Sequence, residues 1–306
     1  MTIRLTNYCE MGCWHCMQDS TPRGEHMSKE MFKKTLAFAK SITSLTTLNV
    51  SGGEPTSHPK FWKFLKKTLK EFSNIPVVLL TNGSNFDKKF NKKLQKFLLK
   101  YENLLVQVTS VPEIYPDYNK VKSNMDELYK FLEQNLHSRV LFFEELELGI
   151  EPVGRALKNM DKAKEYGIIF RQGTSCFNMY SGVQKHQGDL VKGINLVKEN
   201  SRASFCKPLV METGRVIFGE FNQCSTILNL NDFTIEEIQK GLKIDLKVTD
   251  GPCMECITNQ AQFDIVAGYI TGWKDPSVID VDIVVEESTT NQNLLPLVEQ
   301  AAVVEE

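Results

Sequence analysis

The sequence predicts an α/β fold on a parallel sheet, and three observations carry that expectation. Up to Arg171, β-prone runs alternate with helical segments in six βα repeats, a pattern that imposes parallel strands with right-handed crossovers. Three of the eight cysteines follow the first strand directly, in Cys9-Glu10-Met11-Gly12-Cys13-Trp14-His15-Cys16. A glycine pair and a carboxylate, Gly52-Gly53-Glu54, close the second strand. Such folds gather their ligands at the C-terminal strand ends, where Cys9, Gly52, Asn82 and Thr109 all fall.

The first strand reads Thr2 to Thr6. A helix follows from Ser28 to Ser41, with Ser28 as its N-cap and Glu30 in its first turn. Leu45 to Val50 is a buried apolar strand. The helix from Pro59 to Phe72 puts Phe61, Phe64, Leu65 and Leu69 on one face. Then come strand Val77 to Leu80, ending in Thr81-Asn82-Gly83, helix Asp87 to Lys100 and strand Leu104 to Val108. Helix Met125 to Asn135, strand Val140 to Leu148, a short helix Leu157 to Tyr166 and strand Ile168 to Arg171 complete the repeats. Later, Leu209 to Glu212 and Arg215 to Phe218 flank Thr213-Gly214 as a hairpin, and Thr234 to Gly241 reads as a helix.

The chain has 306 residues, 42% hydrophobic and 24% charged, with a formal net charge of -2, enough for one large domain or two. The charge balance gives no push toward nucleic acid. No apolar stretch reaches the length of a membrane span, and the first residues lack a signal-peptide pattern. Eight cysteines without an export signal point to a reducing, cytoplasmic setting and to metal binding rather than disulfides.

Three thiolates on one tight loop can hold three irons of a [4Fe–4S] cluster and leave the fourth open. An open metal position is what catalysis needs. Zinc is the alternative, although His15 lies too close to Cys13 and Cys16 to be an easy fourth ligand. At Gly52 and Gly53 the missing Cβ atoms allow close backbone approach to a ligand, and Glu54 offers a carboxylate to an amine.

The C-x3-C-x2-C loop followed one βα unit later by Gly-Gly-Glu resembles the radical S-adenosylmethionine (radical SAM) superfamily. The resemblance implies an open partial (β/α)6 barrel. It implies that the open iron chelates the amino and carboxylate groups of SAM. An electron from the cluster would then release a 5′-deoxyadenosyl radical that abstracts substrate hydrogen. By the same resemblance, Gly52, Gly53 and Glu54 hold the methionyl amino group, and Ser110 with Thr109 meets the ribose. Val111-Pro112 stands where relatives often carry an aspartate. Arg155, in a Gly-Arg-Ala run, is expected to bind the SAM carboxylate or steer an electron partner. His15 is expected to pack near adenine.

Cys206, Cys224, Cys253 and Cys256 form a second set, with the hairpin between the first two and a C-x2-C pair at the end. Four cysteines can saturate zinc or a second [4Fe–4S] cluster. Their order resembles the Twitch domain, the shortened form of the SPASM domain, and so implies an auxiliary cluster. The expected division is a radical SAM partial barrel over 1–185, a Twitch-like auxiliary Fe–S domain over 186–270, and a C-terminal extension over 271–306. Cys176, past the sixth strand, is a free buried cysteine, a catalytic hydrogen donor beside the substrate or a substrate-linked thiol.

Three functions remain in play. One is oxidation of a small molecule or isolated side chain, with the auxiliary cluster taking the second electron; the balance leans slightly toward it. Another is maturation of a ribosomal peptide by thioether or carbon–carbon crosslinking, or by epimerisation. The third is a zinc-stabilised binding protein without chemistry. Lysines 63, 66, 67, 70, 88, 89, 92, 93 and 96 on two helices are solvated faces or a docking surface for an acidic electron donor of flavodoxin or ferredoxin type.

Overall fold

The computed structural model describes residues 1–42, 45, 47–112, 114–144, 154–166, 208–218 and 226–242. Strand β1 (Thr2–Arg4) is followed by helix α1 (Lys29–Ser41), β2 (Leu48–Ser51), a short 3-10 turn (Pro55–Ser57) and α2 (Phe61–Glu71). Then come β3 (Val77–Thr81), α3 (Lys88–Lys100), β4 (Leu104–Thr109), α4 (Tyr118–Phe131), α5 (Gln134–His137) and β5 (Val140–Phe143). Two short helices, α6 (Gly154–Lys158) and α7 (Met160–Glu165), precede β6 (Pro208–Val210), β7 (Arg215–Phe218), β8 (Thr226–Asn229) and α8 (Ile235–Lys240).

The strands make one sheet in the order β5-β4-β3-β2-β1-β6-β7-β8. Strands β1 to β5 pair in parallel, as the βα repeats require. β6 adds to the other edge of β1, also parallel, with Thr2 beside Leu209 and Ile3 beside Val210. β7 and β8 continue antiparallel. The hairpin expected around Thr213-Gly214 thus extends the same sheet. Its loop closes with Gly214 N donating to Met211 O at 2.9 Å, and Gly214 takes φ 91°, which costs glycine nothing.

Burial alternates along the central strands. Leu48, Val50, Val77, Leu79, Leu104, Val106 and Val108 are fully buried. Asn49, Ser51, Val78, Leu80, Leu105, Gln107 and Thr109 point the other way and are half-buried. The register sets Thr2, Asn49, Val78 and Leu105 in one row, with Arg4 beside Ser51 and Leu80 beside Gln107 further along. One face is therefore dry core; the other is a partly open, mixed polar and apolar surface.

The helix ends follow local chemistry. Ser28 accepts from Met31 N, and Asp87 accepts from Phe90 N. Thr234 and Glu237 form a reciprocal capping box. Helix α4 begins seven residues before the expected Met125. Val121, Met125 and Leu128 form its buried stripe, and the polar residues from Tyr118 to Asn124 masked its first two turns. At Leu132 the backbone turns extended, ψ 143°, and the helix stops short of Asn135. β1 ends at Arg4, because Thr6 leaves the sheet to bridge His26. The expected helix over Leu157–Tyr166 is two pieces, α6 and α7, broken at Asn159. The expected strand Ile168–Arg171 lies outside the described residues.

His58 is buried, 4% exposed. Its Nε2–H donates to Met27 O at 3.0 Å and its Nδ1 accepts from Lys60 N at 2.9 Å, an arrangement open only to the neutral ring. Burial holds its pKa below the ordinary histidine value. The unfolded chain therefore takes up a proton that the folded chain refuses. Stability from this group is complete above about pH 6.5 and declines as pH falls below that. A melting series from pH 7.5 to 5.5 should show the loss, with a shallower slope in His58→Gln.

Candidate active site

The cysteine loop grows from the end of β1 and folds back on itself. Cys9 N donates to Thr21 O at 3.0 Å, Cys16 N to Cys13 O at 3.3 Å, and Asp19 N to Cys16 O at 3.3 Å. Gly12 takes φ 59° between the first two cysteines, and Asp19 takes φ 52°. Cys9 and Cys13 are buried and Cys16 is half-buried, all as free thiols. Burial, first of all, pushes the Cys9 thiol up to about 11 and the Cys13 thiol up to about 12. A bound cation inverts that preference, since coordination deprotonates a thiol outright. Among the described residues, no three His, Cys, Asp or Glu side chains form a site for a single metal ion.

Two outside segments brace this loop. The first follows β2. Gly53 N donates to Thr6 O at 2.7 Å, and Glu54 N to Tyr8 O at 2.8 Å. A Cβ on Gly53 would stand 2.4 Å from Tyr8 O, and one on Gly52 2.6 Å from Thr6 O. The glycine pair thus lets the end of β2 lie against the stem of the cysteine loop. The second segment is Gly154-Arg155. Arg155 N donates to Cys16 O at 3.0 Å, its Nε to Cys13 O at 2.9 Å and its Nη1 to Ser20 O at 2.7 Å. The same Nη1 lies 3.4 Å from Asp19 Oδ1.

Glu54 is fully buried. Its Oε1 accepts from Thr56 N at 3.0 Å, from Thr81 Oγ1 at 2.7 Å and from Thr56 Oγ1; its Oε2 accepts from Asn82 N at 2.8 Å. Burial raises its carboxyl above the usual range, against the pull of these four donors. The carboxylate offered by the sequence to an amine is thus occupied in tying the loop after β2 to the end of β3. Glu10, inside the cysteine loop, adds a parallel link, accepting from Ser84 Oγ and from Ser57 Oγ at 3.1 Å.

The loop after β4 closes the third side. Ser110 is fully buried and its hydroxyl has no partner. Val111, Ile114 and Ala156 form a small cluster against Trp14 and Tyr115. His15 is 9% exposed, its ring 4.9 Å from that of Tyr115 and 5.6 Å from that of Trp14. Burial lowers its pKa to about 4, and its Nδ1 has no partner. The loops after β1, β2, β3 and β4 and the start of α6 therefore converge. Cys176, Cys206, Cys224, Cys253 and Cys256 lie outside the described residues.

Sequence reasoning left Asn82, Ser84, Glu10 and Tyr115 without roles. Asn82 had a visible signal in its place at a C-terminal strand end. The rest depend on loop conformations that no spacing announces.

A largely parallel sheet with three thiols on the first strand-end loop, braced from the end of β2 and the start of α6, defines the class, an α/β scaffold whose thiols can hold an iron–sulfur cluster. The Radical SAM superfamily model matches residues 3–141, the stretch holding the three cysteines, Gly52 to Glu54 and Ser110. That match spans 139 of the 306 residues and is a likeness to the superfamily over that stretch. The antilisterial bacteriocin subtilosin biosynthesis protein AlbA of Bacillus subtilis (strain 168) is 33% identical over 97 residues, 31% of this chain and 21% of that protein. The chain thus aligns with about a fifth of its curated relative. The structure of BtrN in complex with AdoMet and 2-DOIA superposes with a TM-score of 0.51 at 13% identity, covering 90% of this chain and 92% of that one. At that identity the likeness concerns the fold.

Proposed function

We propose that the chain reductively cleaves SAM and uses the resulting radical to abstract hydrogen from a substrate. The observation that carries this reading is the braced three-thiol loop, with the buried, unpartnered Ser110 hydroxyl and His15 Nδ1 nearby. Cys9, Cys13 and Cys16 would each hold one iron of a [4Fe–4S] cluster. When bound, that cluster supplies the electron that splits SAM into methionine and a 5′-deoxyadenosyl radical. The backbone of Gly52 and Gly53 takes the methionyl amino group, because the Glu54 carboxylate is already engaged. Ser110 offers its hydroxyl to the ribose, and His15, neutral and buried, presents Nδ1 beside the adenine. Arg155 holds the cysteine loop in place.

Residues 186–270 form a Twitch-like domain in this reading, with Cys206, Cys224, Cys253 and Cys256 holding an auxiliary [4Fe–4S] cluster. The likeness to AlbA turns the balance toward a peptide substrate, crosslinked or epimerised. Oxidation of a small molecule or isolated side chain is the second reading, favoured by the mixed, half-buried face of Asn49, Ser51, Leu80 and Gln107.

The test is anaerobic reconstitution followed by iron analysis and 5′-deoxyadenosine release with dithionite and SAM. About eight irons, two four-iron cubanes, are expected. Cys13→Ala should abolish 5′-deoxyadenosine formation and keep the auxiliary iron. Cys253→Ala should spare uncoupled cleavage and lose product. A wild-type chain without iron or SAM cleavage overturns the reading.

The electron donor is proposed to dock on α3. Lys88, Lys89, Lys92, Lys93, Lys96 and Phe97 line an open recess of about 700 Å³. The helix carries no acidic residue in its first turn, so Lys88 and Lys89 oppose its dipole, and like charges repeat at four-residue spacing. That unfavourable arrangement suits an acidic flavodoxin- or ferredoxin-type partner. Reversing Lys89 and Lys92 to Glu should slow reduction by flavodoxin roughly tenfold at low salt and leave reduction by dithionite unchanged; equal rates with flavodoxin would exclude this surface.

A further inference from the structure

We propose that Asn82 tunes the cluster bound by Cys9, through a side-chain N–H···S hydrogen bond that makes the cluster easier to reduce. The inference rests on the [4Fe–4S] reading above. Asn82 Nδ2 lies 3.7 Å from Cys9 Sγ, and Asn82 is 9% exposed.

The amide is held from both sides. Its Oδ1 accepts from Ser84 N at 2.9 Å, which fixes the amide's orientation, because an N–H can point only at the oxygen. The NH2 is thereby left facing the sulfur. Its backbone N donates to Glu54 Oε2 at 2.8 Å, and Gly83 N donates to Thr81 Oγ1 at 3.1 Å. Gly83 takes φ +73°, and a Cβ there would meet Val108 Cγ1 at 2.9 Å. The turn that aims Asn82 is thus anchored on the buried Glu54 and packed on β4.

A thiolate accepts an N–H bond more strongly than a thiol does, since charge strengthens the bond. Reduction adds negative charge to the cluster and its sulfurs, so a fixed donor stabilises the reduced form and raises the potential. Cys16 Sγ receives a comparable bond from Ser20 N at 3.4 Å, but that donor is a backbone N–H, which only proline would remove, with its own cost to the loop. Asn82 meets two demands at once, an acceptor for Ser84 N and a donor for Cys9. Aspartate keeps the first and lacks the second.

The experiment is an EPR-monitored redox titration of the reconstituted wild type, Asn82→Asp and Asn82→Ala. Iron content of the wild type is measured first: a wild type without a cluster overturns the parent reading, and this inference with it. With a cluster present, both variants should shift to lower potential. Asn82→Ala is expected to shift the reduction equilibrium about tenfold, the scale of one hydrogen bond to a charged group, or about 59 mV for one electron. Asn82→Asp should shift further, because it adds a negative charge. Unshifted potentials in iron-replete variants overturn the proposal. If the variants fail to hold iron, pulsed EPR on reduced wild type carrying 15N in asparagine side chains decides: a 15N coupling to the cluster supports the bond, and its absence overturns it.

Discussion

Glu54→Ala is expected to destabilise the protein by about 2–5 kcal/mol, the scale for stranding several buried hydrogen-bond donors. The carboxylate is fully buried and satisfies Thr56 N, Thr81 Oγ1, Asn82 N and the Thr56 hydroxyl. Alanine strands donors where water is excluded, each at about 1–3 kcal/mol. Glutamine discriminates further. It has one acceptor oxygen, so its NH2 must face either Asn82 N–H or the Thr56 and Thr81 donors. Glu54→Gln should therefore also lose stability, by about 1–3 kcal/mol. Denaturant unfolding of both variants checks this; wild-type stability in Glu54→Gln would mean that the carboxylate is replaceable.

The second large effect lies at the other edge of β1. Arg4 and Glu212 form a bidentate pair, Nε to Oε2 at 2.6 Å and Nη2 to Oε1 at 3.0 Å, with side chains 3% and 6% exposed. Arg4 Nη1 also reaches Gln18 Oε1 in the cysteine loop at 3.1 Å. Glu212→Ala leaves a buried guanidinium without its carboxylate and should cost about 3–5 kcal/mol. Replacing both residues by leucine removes the buried charge as well and should recover much of that loss. A double-mutant cycle by denaturant unfolding measures it. Additive single effects would show that the two residues do not act as a pair.

The parallel core was legible because its signals are local and periodic. Val77 to Leu80 and Leu104 to Val108 read as strands from apolar runs, one residue short of β3 and β4, and Ser28 announced its helix as a cap. The placement of Cys9, Cys13 and Cys16 on a strand-end loop was legible too, since the spacing lies in sequence. Pairings between residues far apart were not. Arg155 touches the cysteine loop across 142 positions and Arg4 meets Glu212 across 208, and one sequence carries no sign of either. The use of Glu54 was hidden for a related reason. Its motif suggested a ligand, whereas its donors come from a turn two residues on and a strand end 27 residues away.

The place of β1 in the sheet has a consequence for how the chain is made. β1 lies between β2 and β6, so one of its edges is covered early and the other only by residues 208–210. At about 5–20 residues per second, roughly eight to thirty seconds of synthesis separate the two edges. Through that interval the strand leading into the cysteine loop offers bare N–H and C=O groups to any passing strand, and the buried partner of Arg4 does not yet exist. The nascent chain is thus open to mispairing at the strand from which the cysteine loop departs.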